Sequence, residues 1–470
     1  MVLWLPGWSS PDRRTTLILG AAAVGLLVTG VAAAIGTGDY ALLFLVLLLG
    51  AAPLLALVAI RWPYVFPFGL YALLIPFDEI LAIPGAGGLT RYLALGITVF
   101  LVVHAFRLRR LRRPPVAMVI WTLFLGWLLV NVLRSVDEHA LTTLQFFGGL
   151  ILCYAATVIA PIDERQLRFL ALATLAGGVI AALYGLYLFH ADPTLYAKMG
   201  SRATIQMFGR TLDQNIYADS LLAPFAFALL ALTRARSPGM IFASLAAVAV
   251  ILAAILASLS REALLAVGAI SAVVIWFSRR RLLGIAIGIP ALGALALMPG
   301  VSARVSDAIA SGGAGRTSIW KVDWTAFLQH PIIGWGTGNS VEAYDRFYLT
   351  VYQLHFAGWS REPHNTALYI AVELGLVGLA LFLAGWYSAF RPLRKIKRGD
   401  SLFDLRVALT ATLVGMIVAS NFVDVSTTKF FWLILGFAAQ LRNVAESRVE
   451  ALAPAQVVYE PPPAPAVPVA

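Results

Sequence analysis

Long apolar runs separated by short basic clusters fill most of the sequence. Crossing a hydrocarbon core takes about 20 apolar residues. Such runs fall at 15–35, 40–60, 64–83, 92–106, 115–133, 141–159, 167–188, 215–232, 240–258, 263–277, 282–298, 366–390, 405–423 and 428–441. The run at 64–83 is interrupted by Pro67, Pro76, Asp78 and Glu79, and the one at 428–441 is short. The pattern predicts an all-α fold, a polytopic transmembrane helix bundle with 12–14 spans. Arg13 and Arg14 before the first run resemble the start of a signal peptide. The run is long, however, and lacks a clear small-x-small cleavage site, so it reads as a retained first span.

The spacing of basic residues then orients the spans. With the N-terminus in the cytoplasm, every dense cluster falls inside: Arg107 to Arg113, Arg165 with Arg168, Arg234 with Arg236, Arg279 to Arg281, and Arg391 to Arg398. Outside fall 189–214, 259–262, 299–363 and 424–427. The third of these far exceeds the usual connection of about 4–6 residues, which suggests function or a small folded unit. Within it Ser318–Gln329 has helical periodicity, with Trp320, Trp324, Phe327 and Leu328 on one face and Lys321 and Asp323 elsewhere. Such a face suits a membrane interface, and the glycines of GWGTGN (334–339) end the helix. The chain thus divides into an N-terminal bundle (1–298), a long periplasmic loop containing amphipathic helix (299–363), C-terminal membrane helices (364–441) and a Pro/Ala-rich tail (442–470). The tail reads as disordered and cytoplasmic.

Composition agrees with the pattern: 60% of residues are hydrophobic and 13% charged, against about 25% charged in soluble domains. The net charge of +11 sits in the short basic runs, where it sets topology beside anionic membrane lipids rather than implying a nucleic-acid partner. The single cysteine, Cys153, lies in an apolar segment, which excludes an internal disulfide and makes a poor setting for a thiolate. No D-x-D, phosphate-binding G-x-x-x-x-G-K-[ST], H-E-x-x-H or Cys/His metal cluster occurs, so no metal site and no cofactor is expected. Apart from Asp78 and Glu79, mid-span carboxylates are nearly absent, which argues against a proton-coupled transporter.

The expected outer loops instead carry Arg202, Arg210, Arg261, Arg316, Arg361, His364 and Asp424. An arginine at the end of a span is commonly a snorkelling interfacial residue. Arg261 has little loop in which to escape and calls for an anion, either Glu262 or a substrate phosphate. Arg316 follows glycines at the start of a helix, where free N–H groups and a guanidinium together make an anion site. His364 sits where the long loop re-enters the membrane; it is either a cap on the next span or a neutral base for a sugar hydroxyl.

Gly315–Gly378 resembles the O-antigen ligase and polymerase superfamily of bacterial envelope glycosyltransferases. GRTSIWKVDWTAFLQHPIIGWGTGN is similar to its G-R-x-x-x-W segment and the glycine turn that follows. His364-Asn365, nine residues, then Gly375-Leu376-Val377-Gly378 fits its ligase-type histidine pattern. Phe208–Ala218 and Leu259–Glu262 resemble two upstream segments, although Glu262 stands where a small residue is common. The resemblance implies a GT-C-like, metal-independent, inverting glycosyltransferase of the bacterial inner membrane. It would move a glycan from an undecaprenyl-diphosphate-linked donor to a lipid A–core acceptor at the periplasmic face. His364, Arg316 and Arg261 would be catalytic, and Arg210, Asn215, Arg361, Asn365 and Asp424 would bind substrate, Asp424 also orienting His364. A repeat-unit polymerase or protein O-oligosaccharyltransferase of the same superfamily remains open. So does a lipid-linked glycan flippase or transporter, which would need a polar path at mid-membrane.

Overall fold

The computed structural model describes residues 55–83, 87–109, 111, 114–134, 138–198, 200–278, 306, 316–351 and 358–452. The expected spans at 15–35 and 282–298, most of that at 40–60, the start of the long loop and the end of the tail lie outside the described residues.

The chain forms an all-α polytopic bundle. The described helices are α1 (Phe68–Leu74), α2 (Leu89–Arg107), α3 (Val116–Arg134), α4 (Glu138–Ile159), α5 (Glu164–Ala191), α6 (Pro193–Lys198), α7 (Gln214–Ser220), α8 (Leu222–Arg234), α9 (Pro238–Ser258), α10 (Arg261–Phe277), α11 (Arg316–Gln329), α12 (Ser340–Val351), α13 (Thr366–Leu393), α14 (Phe403–Ala419) and α15 (Lys429–Leu452). Among the described residues, seven helical stretches are long and apolar enough to cross a membrane: α2, α3, α4, α5, α7 with α8, α9 and α13. Two small hairpins, 82–88 and 206–211, are the strand pairs of the described residues.

Helices from both sides of the long loop interleave: α3 packs on α13, α4 on α15, and α10 on α14. Their common core is aromatic. Trp121 lies against Phe124, Phe382 and Trp432 at ring-centroid distances of 5.7, 5.7 and 4.7 Å. In a bilayer, where lipid tails are as apolar as leucine, such close packing rather than water exclusion drives helix association.

Three expected spans take a different form. The 64–83 run is not one crossing; α1 gives way to a 3-10 turn at Ile75–Phe77 with Pro76 at its start, and Asp78 and Glu79 follow in the turn before the 82–88 hairpin. The short run at 428–441 is part of a 24-residue helix, α15. It is packed against protein, so its polar residues are bonded: Gln440 donates to Ala160 O at 2.9 Å and Asn443 to Val158 O at 2.7 Å, satisfying carbonyls at the end of α4.

The third is α13, which is broken. Gly375 has φ 66° and ψ −168°, a conformation essentially confined to glycine. The exposed backbone is met by the 331–338 segment of the long loop. Trp335 N and Gly336 N donate to Val372 O and Glu373 O at 2.8 and 2.9 Å, Leu376 N donates to Pro331 O at 2.8 Å, and the Trp127 indole donates to Leu374 O at 2.9 Å. The Glu373 carboxylate in turn accepts from Gly338 N and Ser340 N at the start of α12. Non-helical backbone inside a membrane bundle persists only where protein supplies its hydrogen bonds. The loop therefore wedges into the bundle instead of lying wholly outside it. A Cβ on Gly375 would stand 2.2 Å from Ile332 O, and one on Gly334 (φ 74°) 2.3 Å from Glu373 O. Gly375→Ala is expected to lose about 1–3 kcal/mol from backbone strain before the clash is added, read as a lower midpoint in a thermal unfolding scan of the detergent-solubilised protein.

Polar contacts sort the bundle into two ends. At one, Arg168 pairs with Glu164 at 3.0 Å, Arg448 with Glu164 and Asp400, and Arg234 with Asp404 at 2.6 Å. The other end holds the long loop, the two hairpins and the residues described next.

Candidate active site

The site grows from the first turn of α11. Arg316 opens that helix and Trp320 follows one turn later, so both point the same way. The Trp320 indole donates to Pro363 O at 2.8 Å, fixing the residue before His364. Arg316 reaches the carboxylate of Glu262 at 3.5 Å and lies over the Phe422 ring at 5.7 Å. The Glu262 side chain is 2% exposed and that of Arg316 15%. Arg316 therefore pairs with Glu262, one of the two anions that the sequence offered Arg261. The cause is helix geometry: Ser260 caps α10, and the residues that follow it point to different sides.

The opposite face of α11 corrects one expectation. Asp323, read as lying off the apolar face, is fully buried with Ile319, Val322 and Ala326, while Trp324 is 54% exposed. Neither Asp323 carboxylate oxygen has a hydrogen-bond partner, and burial pushes its pKa up to about 8. It is neutral at pH 7, which avoids the cost of a buried ion.

His364 is held at φ 48° in the left-handed region. The cap of the following helix is its neighbour: the Asn365 side chain accepts from Leu368 N at 3.0 Å and donates to Asn421 O at 3.2 Å. The imidazole is thus released from the capping task that the sequence left open. Partial burial and the nearby Arg316 guanidinium hold its pKa below the ordinary 6.5; Arg361 acts the same way, while Glu362 and Asp213 oppose them. At neutral pH the ring is uncharged and able to accept a proton.

Other expected residues have defined places. Arg210 lies on the 206–211 hairpin and lines a polar cavity. Asn215 sits in α7 and its amide oxygen accepts from Arg202, whose Nε also donates to Ser258 O at 2.7 Å. Arg361 stands beside Gly358 in the irregular stretch leading to His364. Asp424 accepts from Ser426 N at 2.9 Å and from the Ser426 and Thr427 hydroxyls at 2.7 and 3.1 Å. Those bonds shape the 420–428 loop; burial raises its pKa and they oppose the shift. Ser426 and Thr427 of that loop, with Thr366 at the helix start beside His364, are hydrogen-bond partners of its carboxylate.

Sequence reading missed Asp213, whose charge acts on both His364 and Glu79, and Asp219, a buried carboxylate without hydrogen-bond partners in α7. It also missed Lys429, which pairs with Asp78 at 2.6 Å. An ionisable residue at each of the two weakest spans was the available signal. Among the described residues no group of three or more His, Cys, Asp or Glu is arranged to hold a metal.

Beside His364 a groove of about 890 Å³ runs between α11 and α13. Trp320, Trp324, Phe327, Leu368, Leu376 and Leu379 make it predominantly apolar, and Asn365 lies at its edge. A neutral imidazole, a buried guanidinium and an apolar groove thus meet at one end of a membrane bundle.

Comparison with known proteins places the likeness on these residues. Residues 246–383 match the O-antigen ligase family. Over 129 residues the chain is 35% identical to a protein named O-antigen ligase from Salmonella typhimurium (strain LT2), across 26% of this chain and 31% of that relative. The chain is O-antigen ligase-like, and the segment that makes it so carries Arg261, Arg316 and His364.

Proposed function

We propose that the protein is a metal-independent, inverting glycosyltransferase that attaches a glycan carried on undecaprenyl diphosphate to lipid A–core at the periplasmic face of the inner membrane. The observation that carries this reading is His364, neutral and freed from capping, beside an Arg316 locked in place by Glu262. The acceptor hydroxyl gives its proton to His364 as its oxygen bonds to the anomeric carbon of the donor sugar. The bond from that carbon to the diphosphate oxygen breaks, and undecaprenyl diphosphate leaves with the bonding electrons. Attack opposite the leaving group inverts the anomeric centre. Arg316, with Arg261 and Arg210, supplies fixed positive charge where the diphosphate charge develops, in the role a metal plays in other transferases. Arg361 and Asn215 bind substrate around this centre, and Asn365 and Asp424 shape its floor. The apolar groove between α11 and α13 takes a lipid chain, bringing the reacting headgroup to the membrane surface.

The segregation of basic clusters at the opposite end supports a cytoplasmic placement for them and for both termini, and a periplasmic one for the site. Deletion in the native host followed by a lipopolysaccharide gel tests the reaction. Loss of the whole ladder with accumulation of lipid-linked glycan is expected. Collapse to a single repeat on core would assign repeat-unit polymerisation instead, and an unchanged ladder would exclude both.

A further inference from the structure

A second cavity, of about 600 Å³, opens on the same end of the bundle and has no part in the chemistry above beyond Arg210 at its edge. Its size falls within the range of ligand sites, about 300–1,000 Å³. It is built by segments distant in sequence: the turn after α1, the 206–211 hairpin, the start of α7 and the start of α15. Its polar and apolar lining are nearly equal in extent, in contrast to the lipid groove.

Opposite charges line this cavity. Lys429, whose side chain is 12% exposed, pairs with Asp78 at 2.6 Å and also donates to the Thr90 hydroxyl at 2.9 Å. Glu79 stands next to that pair, and Arg210 and Thr211 lie across from it, with Phe146 offering an apolar face. The two carboxylates and two cations balance. A bare phosphate would meet repulsion from Asp78 and Glu79, and a free cation would meet Lys429 and Arg210. A ligand whose groups both donate and accept hydrogen bonds satisfies all four at once, because each carboxylate accepts and each cation only donates. Sugar hydroxyls have that property, and the C–H face of a sugar ring suits an aromatic side chain.

We infer that this cavity is a carbohydrate subsite holding the sugar units that flank the reacting centre, with Asp78, Glu79, Arg210, Thr211 and Lys429 as hydrogen-bonding groups and Phe146 as the apolar wall. Ile216 and Ser220 of α7 line it, and Asp213 caps that helix through Asn215 N and Ile216 N. The charge of Asp213 is felt both by Glu79 in the cavity and by His364 at the reacting centre. Burial, Asp78 and Asp213 together raise the Glu79 pKa and Lys429 opposes them. The inference rests on the proposed glycan transfer for its place in the reaction, though not for the binding itself.

Two measurements on the purified full-length protein in nanodiscs test it. The first is binding of delipidated core oligosaccharide and of free repeat-unit oligosaccharide, read by saturation-transfer NMR. The second is steady-state transfer with each substrate varied in turn. Glu79→Gln and Thr211→Val avoid breaking the part-buried Asp78–Lys429 pair. Each is expected to raise one KM about three- to tenfold, the size of a weakened or lost hydrogen bond, with little change in kcat. A rise in the acceptor KM assigns the cavity to core sugars, and a rise in the donor KM assigns it to the donor glycan. If neither KM moves, and neither oligosaccharide loses binding in the two variants, the inference is overturned. Should the wild type bind oligosaccharide but transfer nothing, the proposed reaction fails while the subsite stands.

Discussion

Alanine in place of His364 is expected to lower kcat for glycan transfer about 10²–10⁴-fold, the contribution of a positioned general base. Membrane insertion and melting temperature should stay at wild-type values, because the helix cap belongs to Asn365. Should His364→Ala protein that inserts normally still transfer at the wild-type rate, the proton goes elsewhere and the reading of the site is wrong. The pH profile gives a second check. The base must be neutral, so activity rises with pH, and its acid limb should have a midpoint below the ordinary histidine value of 6.5. Glu362 raises the imidazole pKa and Arg361 lowers it. Glu362→Gln therefore moves the midpoint to lower pH and Arg361→Gln moves it to higher pH. Opposite shifts, or none, would place the titrating group away from His364.

His364 and Arg316 were legible in the sequence because each sits in a short pattern whose meaning is local. One is a glycine-flanked helix start, the other the last residues before an apolar run. The same holds for most spans, since α2 to α5, α9 and α13 are written in runs that need no partner to be recognised. What stayed hidden depends on contacts between distant segments. Arg316 and Glu262 lie 54 positions apart on different helices, and residue spacing on α10 favours no particular partner for either. Lys429 and Asp78 lie in the two least convincing apolar runs, one short and the other broken by prolines and carboxylates, and each contributes a charge to a pair that neither run announces alone. Asp323 reads as a solvated residue on an amphipathic helix until α12 is seen to pack Tyr344 and Tyr348 against Ile319 and Val322, which are buried with it. The break at Gly375 has a sequence signal, a glycine in the histidine pattern. Its reason is the 331–338 segment that bonds to the opened backbone, and no local pattern announces that pairing.

Arg316→Ala is expected to reduce kcat/KM about 10²–10³-fold, as when a fixed donor to developing negative charge is removed. The same substitution strands Glu262, whose side chain is 2% exposed and whose Oε1 has no hydrogen-bond partner. Breaking a buried pair from one side costs about 3–5 kcal/mol, because the remaining charge is uncompensated. Lost activity alone would therefore mix catalysis with stability. The Arg316→Ala/Glu262→Ala double variant separates them. With both charges gone the buried penalty disappears, so the melting temperature should return most of the way to the wild-type value. Transfer should stay as low as in the single variant, since nothing has replaced the guanidinium opposite the diphosphate. Arg316→Lys keeps the charge but loses the planar fork that can bind Glu262 and a phosphate oxygen together, so it should fall between wild type and Arg316→Ala. If the double variant regained transfer together with stability, Arg316 would be a structural partner of Glu262 and the diphosphate would have to be held by Arg261 and Arg210 instead.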